Sequence, residues 1–228
     1  MQTEIIKNIK KIKEKINIAC SKGNIEPKNL TLIAVSKKKS HELIEVALQN
    51  GIHNFGENYA QELFEKSKLI NSEKIIWHFI GPIQSNKIKL IAKHANWVHT
   101  LDREKVIRKL DMECKQIDKK INACIQVNAS SEVSKNGCQP NELMDIAKIV
   151  KSMKNINLKG IMALPKLTND KIEQAKTMES VKNLSLKLQS SYPDATSVSL
   201  GTTSDFETAI IHGSTMLRIG ESIFGKRL

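Results

Sequence analysis

The reactive group that stands out in this sequence is a lysine at the end of an apolar run. The run covers residues 30–37, is rich in β-branched side chains, and predicts a buried strand that ends at Lys37. One interpretation is a solvated strand end, which the neighbouring Lys38 and Lys39 would extend. The other is a nucleophile, because a desolvated amine at the mouth of a barrel can form a Schiff base with a carbonyl compound.

A second group of candidate residues, near the C-terminus, suits a phosphate group. Hydroxyl side chains are dense over residues 199–204, and Gly201 lets the backbone approach a ligand closely. The run Ser204-Asp205-Phe206-Glu207 matches a capping box, which predicts a helix that begins there and offers free N–H groups to an anion. Arg218 and Gly220 add a guanidinium and a second open turn. A simple helix cap followed by turns explains the same residues equally well.

These candidates lie in a chain that alternates between strand-like and helix-like segments. An opening helix over residues 2–20 places isoleucines at helical spacing on one side, at positions 5, 9, 12 and 16. The predicted strands cover residues 30–37, 53–57, 75–81, 97–101, 121–128, 158–164, 196–200 and 215–219. The predicted helices between and after them cover residues 41–50, 58–70, 86–95, 103–118, 140–153, 170–190 and 204–212.

The alternation predicts an α/β fold, a (β/α)8 barrel that forms one domain over residues 1–228 with an extra N-terminal helix. An open doubly wound sheet is the alternative. Catalytic residues of such barrels lie at the carboxyl ends of the strands, so Lys37 and the loop at 199–204 would share one cup. A Schiff-base lysine and a phosphate site together indicate pyridoxal 5′-phosphate (PLP). Arg218 would then keep the ring nitrogen unprotonated, because two positive charges repel each other.

The bulk composition excludes several other classes of protein. The formal net charge is +12, which leaves a basic nucleic-acid-binding protein as the least favoured alternative. Because the lysines are spread along the chain, no nucleic-acid partner is expected. None of the cysteines has C-x-x-C spacing, which argues against a zinc site and for free thiols. The sequence shows neither a signal-peptide core nor an apolar run long enough for a membrane span, so we expect a cytoplasmic protein with no membrane partner.

The sequence resembles the pyridoxal phosphate homeostasis protein family over nearly its whole length. The matching motifs, in chain order, are Ala34-Val35-Ser36-Lys37, Phe55-Gly56-Glu57-Asn58-Tyr59 with Gln61-Glu62, His78-Phe79-Ile80-Gly81 with Gln84 and Asn86-Lys87, Val127-Asn128, Lys135-Asn136-Gly137, Gly160-Ile161-Met162-Ala163, and Gly213-Ser214-Thr215-Met216 through Arg218-Ile219-Gly220. Each motif is weak alone, and their order makes the set specific.

The resemblance implies a PLP protein of fold type III, similar to the barrel of alanine racemase. It implies that PLP is held on Lys37, with Asn58 near the cofactor. It places phosphate contacts in two segments, at Ser199 and Thr203 and around Gly220, with Arg218 beside them. It further implies a monomer that carries and buffers PLP for vitamin B6 and amino-acid homeostasis, with apo forms of PLP enzymes as candidate acceptors and no robust catalysis.

The sequence differs from the pyridoxal phosphate homeostasis family in one motif and from alanine racemase in one requirement. The common phosphate-loop pattern is Ser-Met-Gly-Met-Ser-Asp-Asp, whereas residues 199–205 read Ser-Leu-Gly-Thr-Thr-Ser-Asp, so a hydroxyl is kept at Thr203. A racemase needs a second base opposite Lys37, and only Tyr59 and Tyr192 are available as tyrosines. A PLP carrier is therefore favoured over a small amino-acid racemase. His78 is either an acid/base group or, more simply, a hydrogen-bonded buried histidine.

Overall fold

The computed structural model describes residues 2–70, 72–129, 136–166, 168 and 170–225. Lys135, from one of the motifs above, lies outside these residues. The strands form a closed, all-parallel barrel in which each strand pairs with its neighbours in sequence and the first pairs with the last. The predicted (β/α)8 barrel is thus confirmed, and the open sheet is excluded.

The strands are short and follow the predicted order. They are β1 (Thr31–Val35), β2 (Asn54–Glu57), β3 (Ile76–Phe79), β4 (Trp97–Leu101), β5 (Ile121–Val127), β6 (Ile156–Ala163), β7 (Ser197–Ser199) and β8 (Met216–Ile219). The helices are α1 (Gln2–Gly23), α2 (His41–Gln49), α3 (Ala60–Leu69), α4 (Ile88–His94), α5 (Glu104–Gln116), α6 (Leu143–Ser152), α7 (Lys171–Ser191), α8 (Phe206–Ile211) and α9 (Glu221–Phe224). Two 3₁₀ turns, Pro27–Asn29 and Ser85–Lys87, complete the described elements.

The barrel closes where β1 pairs with β8. Ile33 lies opposite Arg218 and Ala34 lies opposite Ile219 in this parallel ladder, while the other edge of β1 pairs with β2. The loop that follows β1 therefore lies next to the ends of β2 and β8. This neighbourhood brings together segments that are far apart in the sequence, including Lys37 and Arg218.

Helix α1 packs against the helices that flank the closing strands. Its isoleucine stripe, at positions 5, 9, 12 and 16, is buried as the sequence pattern predicted. The helix contacts α2, α8 and α9, and the Asn8 side-chain amide donates a hydrogen bond to the Ile223 carbonyl. The extra N-terminal helix is thus part of the barrel's packing.

The predicted start of α8 was wrong. The helix begins at Phe206 with Asp205 as its N-cap residue, and Ser204 does not act as the cap of a capping box. The reason is a tight turn at the preceding residues, in which the N–H groups of Asp205 and Phe206 both donate to the Thr202 carbonyl. Asp205 also accepts hydrogen bonds from the Thr202 N–H and hydroxyl, at 2.6 and 2.9 Å.

No helix within the described part of the chain combines the length and the apolar character that crossing a membrane requires.

The contribution of α1 to stability can be measured with one pair of variants. Ile9 is 3% exposed, whereas Ile6 of the same helix is 45% exposed. Ile9→Ala should lower the free energy of unfolding by about 2–5 kcal/mol, because it leaves a cavity in the packed interior. Ile6→Ala is the matched control and should change it by less than about 0.5 kcal/mol. Equal effects in urea denaturation would contradict the packing role of α1.

Candidate functional site

A cavity of about 510 Å³ opens at the carboxyl ends of the strands, a size typical of small-molecule sites. It is bordered by the segments that follow β1, β2, β3, β6, β7 and β8. The lining residues are Val35, Lys37, Asn58, Ile80, Leu164, Pro165, Thr202, Thr203, Ser204, Asp205, Arg218, Gly220 and Glu221. A smaller cavity of about 310 Å³ lies at the amino ends of β1 and β2. Only the first contains the candidate lysine.

Lys37 lies two residues after the end of β1, and the backbone on both sides of it is fixed. Ser36 continues the ladder, because its N–H donates to the Gly56 carbonyl at 3.0 Å. Lys38 adopts a left-handed conformation with φ of 58° and donates its N–H to Glu62 at 2.7 Å. Lys37 is half-buried between these two anchored residues and lines the cavity. The backbone of Lys37 is therefore held in a defined place at the edge of the cavity.

A buried ionic cluster under the strand tip holds these anchors. Lys66 donates to the Ser36 carbonyl at 2.7 Å, to Glu57 at 2.8 Å and to Glu62 at 2.9 Å. The Ser36 hydroxyl donates to the same Glu57 oxygen at 2.6 Å. Lys66 thereby joins β1 to β2 and α3. The i,i+4 spacing of Glu62 and Lys66 was a signal for this cluster that the sequence analysis did not use.

Glu57 is the most perturbed carboxylate of the described chain. Its side chain is fully buried, and this burial raises its pKa to about 7, against the opposing effects of Lys66 and the Ser36 hydroxyl. One of its oxygens, Oε2, has no hydrogen-bond partner among the described residues. The cluster therefore holds a carboxyl group that titrates near neutral pH.

Asn58 reaches the cavity because the chain after β3 packs tightly against it. A Cβ atom on Gly81 would lie 2.0 Å from the Asn58 carbonyl oxygen, so only glycine fits at this position. The side-chain oxygen of Asn58 is buried and has no partner within the described residues. A ligand that brings an N–H or O–H group into the cavity would satisfy this acceptor.

The loop after β7 presents hydroxyl groups to the cavity. Gly201 has φ of 93°, and a Cβ atom there would lie 2.7 Å from the Ala209 side chain, which explains the glycine. Thr203 and Ser204 line the cavity next to it. The Asp205 carboxylate is already engaged by Thr202, as described above. The loop can thus offer the hydroxyl groups of Thr203 and Ser204 to an anion.

Ser199 lies deeper than the sequence analysis expected. It is fully buried and is not among the residues that line the cavity. Its hydroxyl oxygen accepts a hydrogen bond from Arg218 at 2.5 Å and lies 2.8 Å from His99 Nδ1. Arg218 itself is 4% exposed and lines the cavity, and burial lowers its pKa to about 10, which leaves it cationic at neutral pH. Ser199 is thus positioned to hold Arg218.

His78 is a buried, hydrogen-bonded histidine, the simpler of the two interpretations offered above. It lies between His99 and Asn54, and burial lowers its pKa to about 3. His99 was missed by the sequence analysis. The sequence offered one indication that His99 points into the barrel. It stands two residues after Trp97 on a predicted strand, so both side chains lie on the same face.

Five of the six predicted site residues line one cavity. They are Lys37, Asn58, Thr203, Arg218 and Gly220. Ser199, the sixth, lies one layer below them.

Comparison with known proteins agrees with this geometry. Residues 7–227 match the family model described as alanine racemase, N-terminal domain. The chain is 41% identical over 227 residues to the pyridoxal phosphate homeostasis protein of Pasteurella multocida, covering 98% of this chain and 97% of that protein. The chain belongs to the pyridoxal phosphate homeostasis proteins, within the alanine racemase N-terminal domain family. The family member from Escherichia coli is 37% identical over 227 residues, with the same coverage of 98% and 97%.

Solved structures place the family in the same fold. PipY of Synechococcus elongatus, determined with PLP bound, superposes with a TM-score of 0.81 and 27% identity, covering 94% of this chain and 100% of that one. Alanine racemase of Clostridium difficile superposes with a TM-score of 0.76 over 94% of this chain and 57% of that one. At 14% identity, this second likeness concerns the barrel alone.

The raised pKa of Glu57 predicts a specific dependence of stability on pH. The folded state binds the proton more tightly than the unfolded state, whose pKa is near 4.5. The contribution to stability is therefore complete below pH 4.5 and is lost as the pH rises through about 7, by ~3 kcal/mol. Glu57→Gln should abolish this loss in urea titrations between pH 4 and 8.

Glu65→Gln is the control for that series, because Glu65 is an exposed carboxylate on α3, whereas Glu57 is buried on β2. It should leave the pH profile of the free energy of unfolding unchanged. A Glu57→Gln protein whose profile parallels that of the unsubstituted protein would show that folding does not raise the pKa of Glu57.

Proposed function

We propose that this chain binds PLP as a Schiff base on Lys37 and acts as a carrier and buffer of the cofactor. The single observation that carries the proposal is the cavity at the barrel mouth, which is lined by a half-buried lysine just beyond β1 and by a buried arginine on β8, the strand paired with β1. Relatives at 37–41% identity are named for pyridoxal phosphate homeostasis, and a solved structure of PipY contains PLP. The binding domain proposed is the whole chain, residues 1–228.

The residues of the cavity fit PLP by chemical type. Lys37 supplies the amine for the aldehyde, and Arg218 supplies a fixed cation for the side of the ring nitrogen. Thr203, Ser204 and the backbone at Gly220 are the proposed contacts of the phosphate. The unsatisfied oxygen of Asn58 is available to a donor on the cofactor. Ser199 acts in this proposal by supporting Arg218, since its hydroxyl is already bonded to that side chain.

The same geometry favours a carrier over a racemase. When bound, PLP supplies an electron sink, and a neighbouring arginine cation weakens that sink by opposing protonation of the ring nitrogen. A racemase also needs a second base in the cavity. Neither tyrosine is among the described lining residues, and Tyr59 is 51% exposed. Sustained, Lys37-dependent racemisation of any amino acid would instead place the protein among the enzymes.

The attachment site can be mapped directly. After incubation with PLP and reduction with borohydride, digestion and mass spectrometry should locate the pyridoxyl group on Lys37. Lys37→Ala should lose the visible absorption of bound PLP and remain folded, because a half-buried strand-tip side chain adds little to the packed interior. Lys38→Asn is the control, since asparagine tolerates the left-handed backbone at that position. Label on Lys38 or Lys39 alone would refute the assignment.

The phosphate contact can be measured through affinity. Thr203→Ala should weaken PLP binding by roughly 1.5–3 kcal/mol, about tenfold or more, because a hydrogen bond to a charged group is lost. Thr177→Ala on α7 is the matched control, and it should bind PLP as the unsubstituted protein does. An unchanged dissociation constant for Thr203→Ala would place the phosphate elsewhere in the cavity.

A further inference from the structure

A continuous chain of hydrogen bonds runs through the inside of the barrel and ends on Arg218. Arg218 Nη1 lies 2.5 Å from the Ser199 hydroxyl, which lies 2.8 Å from His99 Nδ1. His99 Nε2 lies 2.9 Å from His78 Nδ1. His78 Nε2 lies 2.9 Å from the side-chain oxygen of Asn54. The chain thus connects β8, β7, β4, β3 and β2 across the barrel.

The chemistry of its two ends fixes the direction of every bond. The Asn54 oxygen can only accept, so His78 Nε2 carries a proton, and the neutral ring leaves Nδ1 as an acceptor. His99 Nε2 must then donate to His78, which leaves His99 Nδ1 to accept from the Ser199 hydroxyl. At the other end the guanidinium can only donate, and it donates to the remaining lone pair of the Ser199 oxygen.

Burial keeps both imidazoles neutral, as this arrangement requires. His78 and His99 are fully buried. Burial holds the pKa of His99 well below its usual value, and the neighbouring His78 and Arg218 lower it further. A proton on either ring would replace an acceptor with a donor and break the chain.

The same series of hydrogen bonds also fixes the orientation of the Arg218 side chain. Its second terminal nitrogen, Nη2, donates to the Ala163 carbonyl at 2.9 Å. Two bonds at separate nitrogens hold the plane of the guanidinium, and the two acceptors lie on different strands, β7 and β6. Ser199 accepts from Arg218 while its own hydroxyl donates to His99 Nδ1, so the acceptor at His99 keeps the Ser199 proton directed away from the guanidinium.

We propose that His99 is a positioning residue that acts through Ser199 to hold the Arg218 guanidinium toward the ring of bound PLP, with His78 and Asn54 fixing the tautomer of His99. This inference rests on the proposed function, because it assigns Arg218 to the ring of PLP. A histidine that served only packing would stabilise the barrel without altering the electronic environment of the cofactor.

The hydrogen-bond chain is first tested in the protein without PLP. ¹⁵N-histidine-labelled protein should show both rings as neutral Nε2–H tautomers from pH 5 to 8, with signals assigned from the spectrum of a His99→Asn protein. Half-exposed His212 serves as an internal comparison in the same spectra. Titration of His78 or His99 in this range, or an Nδ1–H tautomer at either, would overturn the proposal.

The positioning role is then tested with a double-mutant cycle. His99→Leu and Ser199→Ala should each weaken PLP binding about tenfold and shift the absorption maximum of bound PLP in the same direction. The double variant should show no further loss, because each change breaks the same connection. His99→Asn, which keeps an acceptor for the Ser199 hydroxyl, should restore most of the affinity, and His41→Asn at the start of α2 should have no effect.

The outcomes separate this inference from the proposed function. Absence of PLP binding by the unsubstituted protein would overturn the proposed function and the positioning role together. Intact binding with additive losses, or with an unshifted absorption maximum in His99→Leu, would overturn the positioning role alone. If His99→Leu does not fold, two other measurements test the positioning role. They are the histidine tautomers of the unsubstituted protein, and the PLP affinity and absorption maximum of Ser199→Ala.

Discussion

The arrangement inside this barrel follows from the burial of one cation. A guanidinium at the centre of a barrel loses most of its hydration, and it is tolerated only when its N–H groups find acceptors. Arg218 finds them in the Ser199 hydroxyl and the Ala163 carbonyl. The Ser199 hydroxyl in turn donates a hydrogen bond to His99. The two neutral histidines continue this series of hydrogen bonds to the side-chain oxygen of Asn54. Hydrophobic side chains fill most barrels of this type, so this polar column is a feature that the single arginine imposes.

A second buried ionic group supports the adjacent part of the same cavity. Lys66 ties the carbonyl of Ser36 to Glu57 and Glu62, and so fixes the turn that carries Lys37. The two systems do not share a residue, yet they border one site from neighbouring strands. The reactive amine is held through its backbone, whereas the arginine is held through its side chain.

The sequence allowed the barrel and much of the site to be predicted, because both depend on local patterns. Alternating strands and helices identified the fold, and the rule that function lies at strand ends led to Lys37, Thr203 and Arg218. The partners of Ser199 and the role of His99 depend on which side chains meet across the barrel, which no local pattern specifies. The start of α8 was misplaced for a related reason, since Asp205 bonds backward to Thr202 instead of forward into the helix.

The pairing of β1 with β8 has a consequence for how this protein folds. It joins residues 31–34 to residues 216–219, so this ladder spans almost the whole chain and its formation carries a loop-closure entropy cost. Lys37 and Arg218 come together only through that ladder. A partly folded chain therefore has no binding site, and any ligand that bridges the two strands stabilises the closed barrel alone. A ligand bound in the cavity should accordingly slow the separation of β1 from β8.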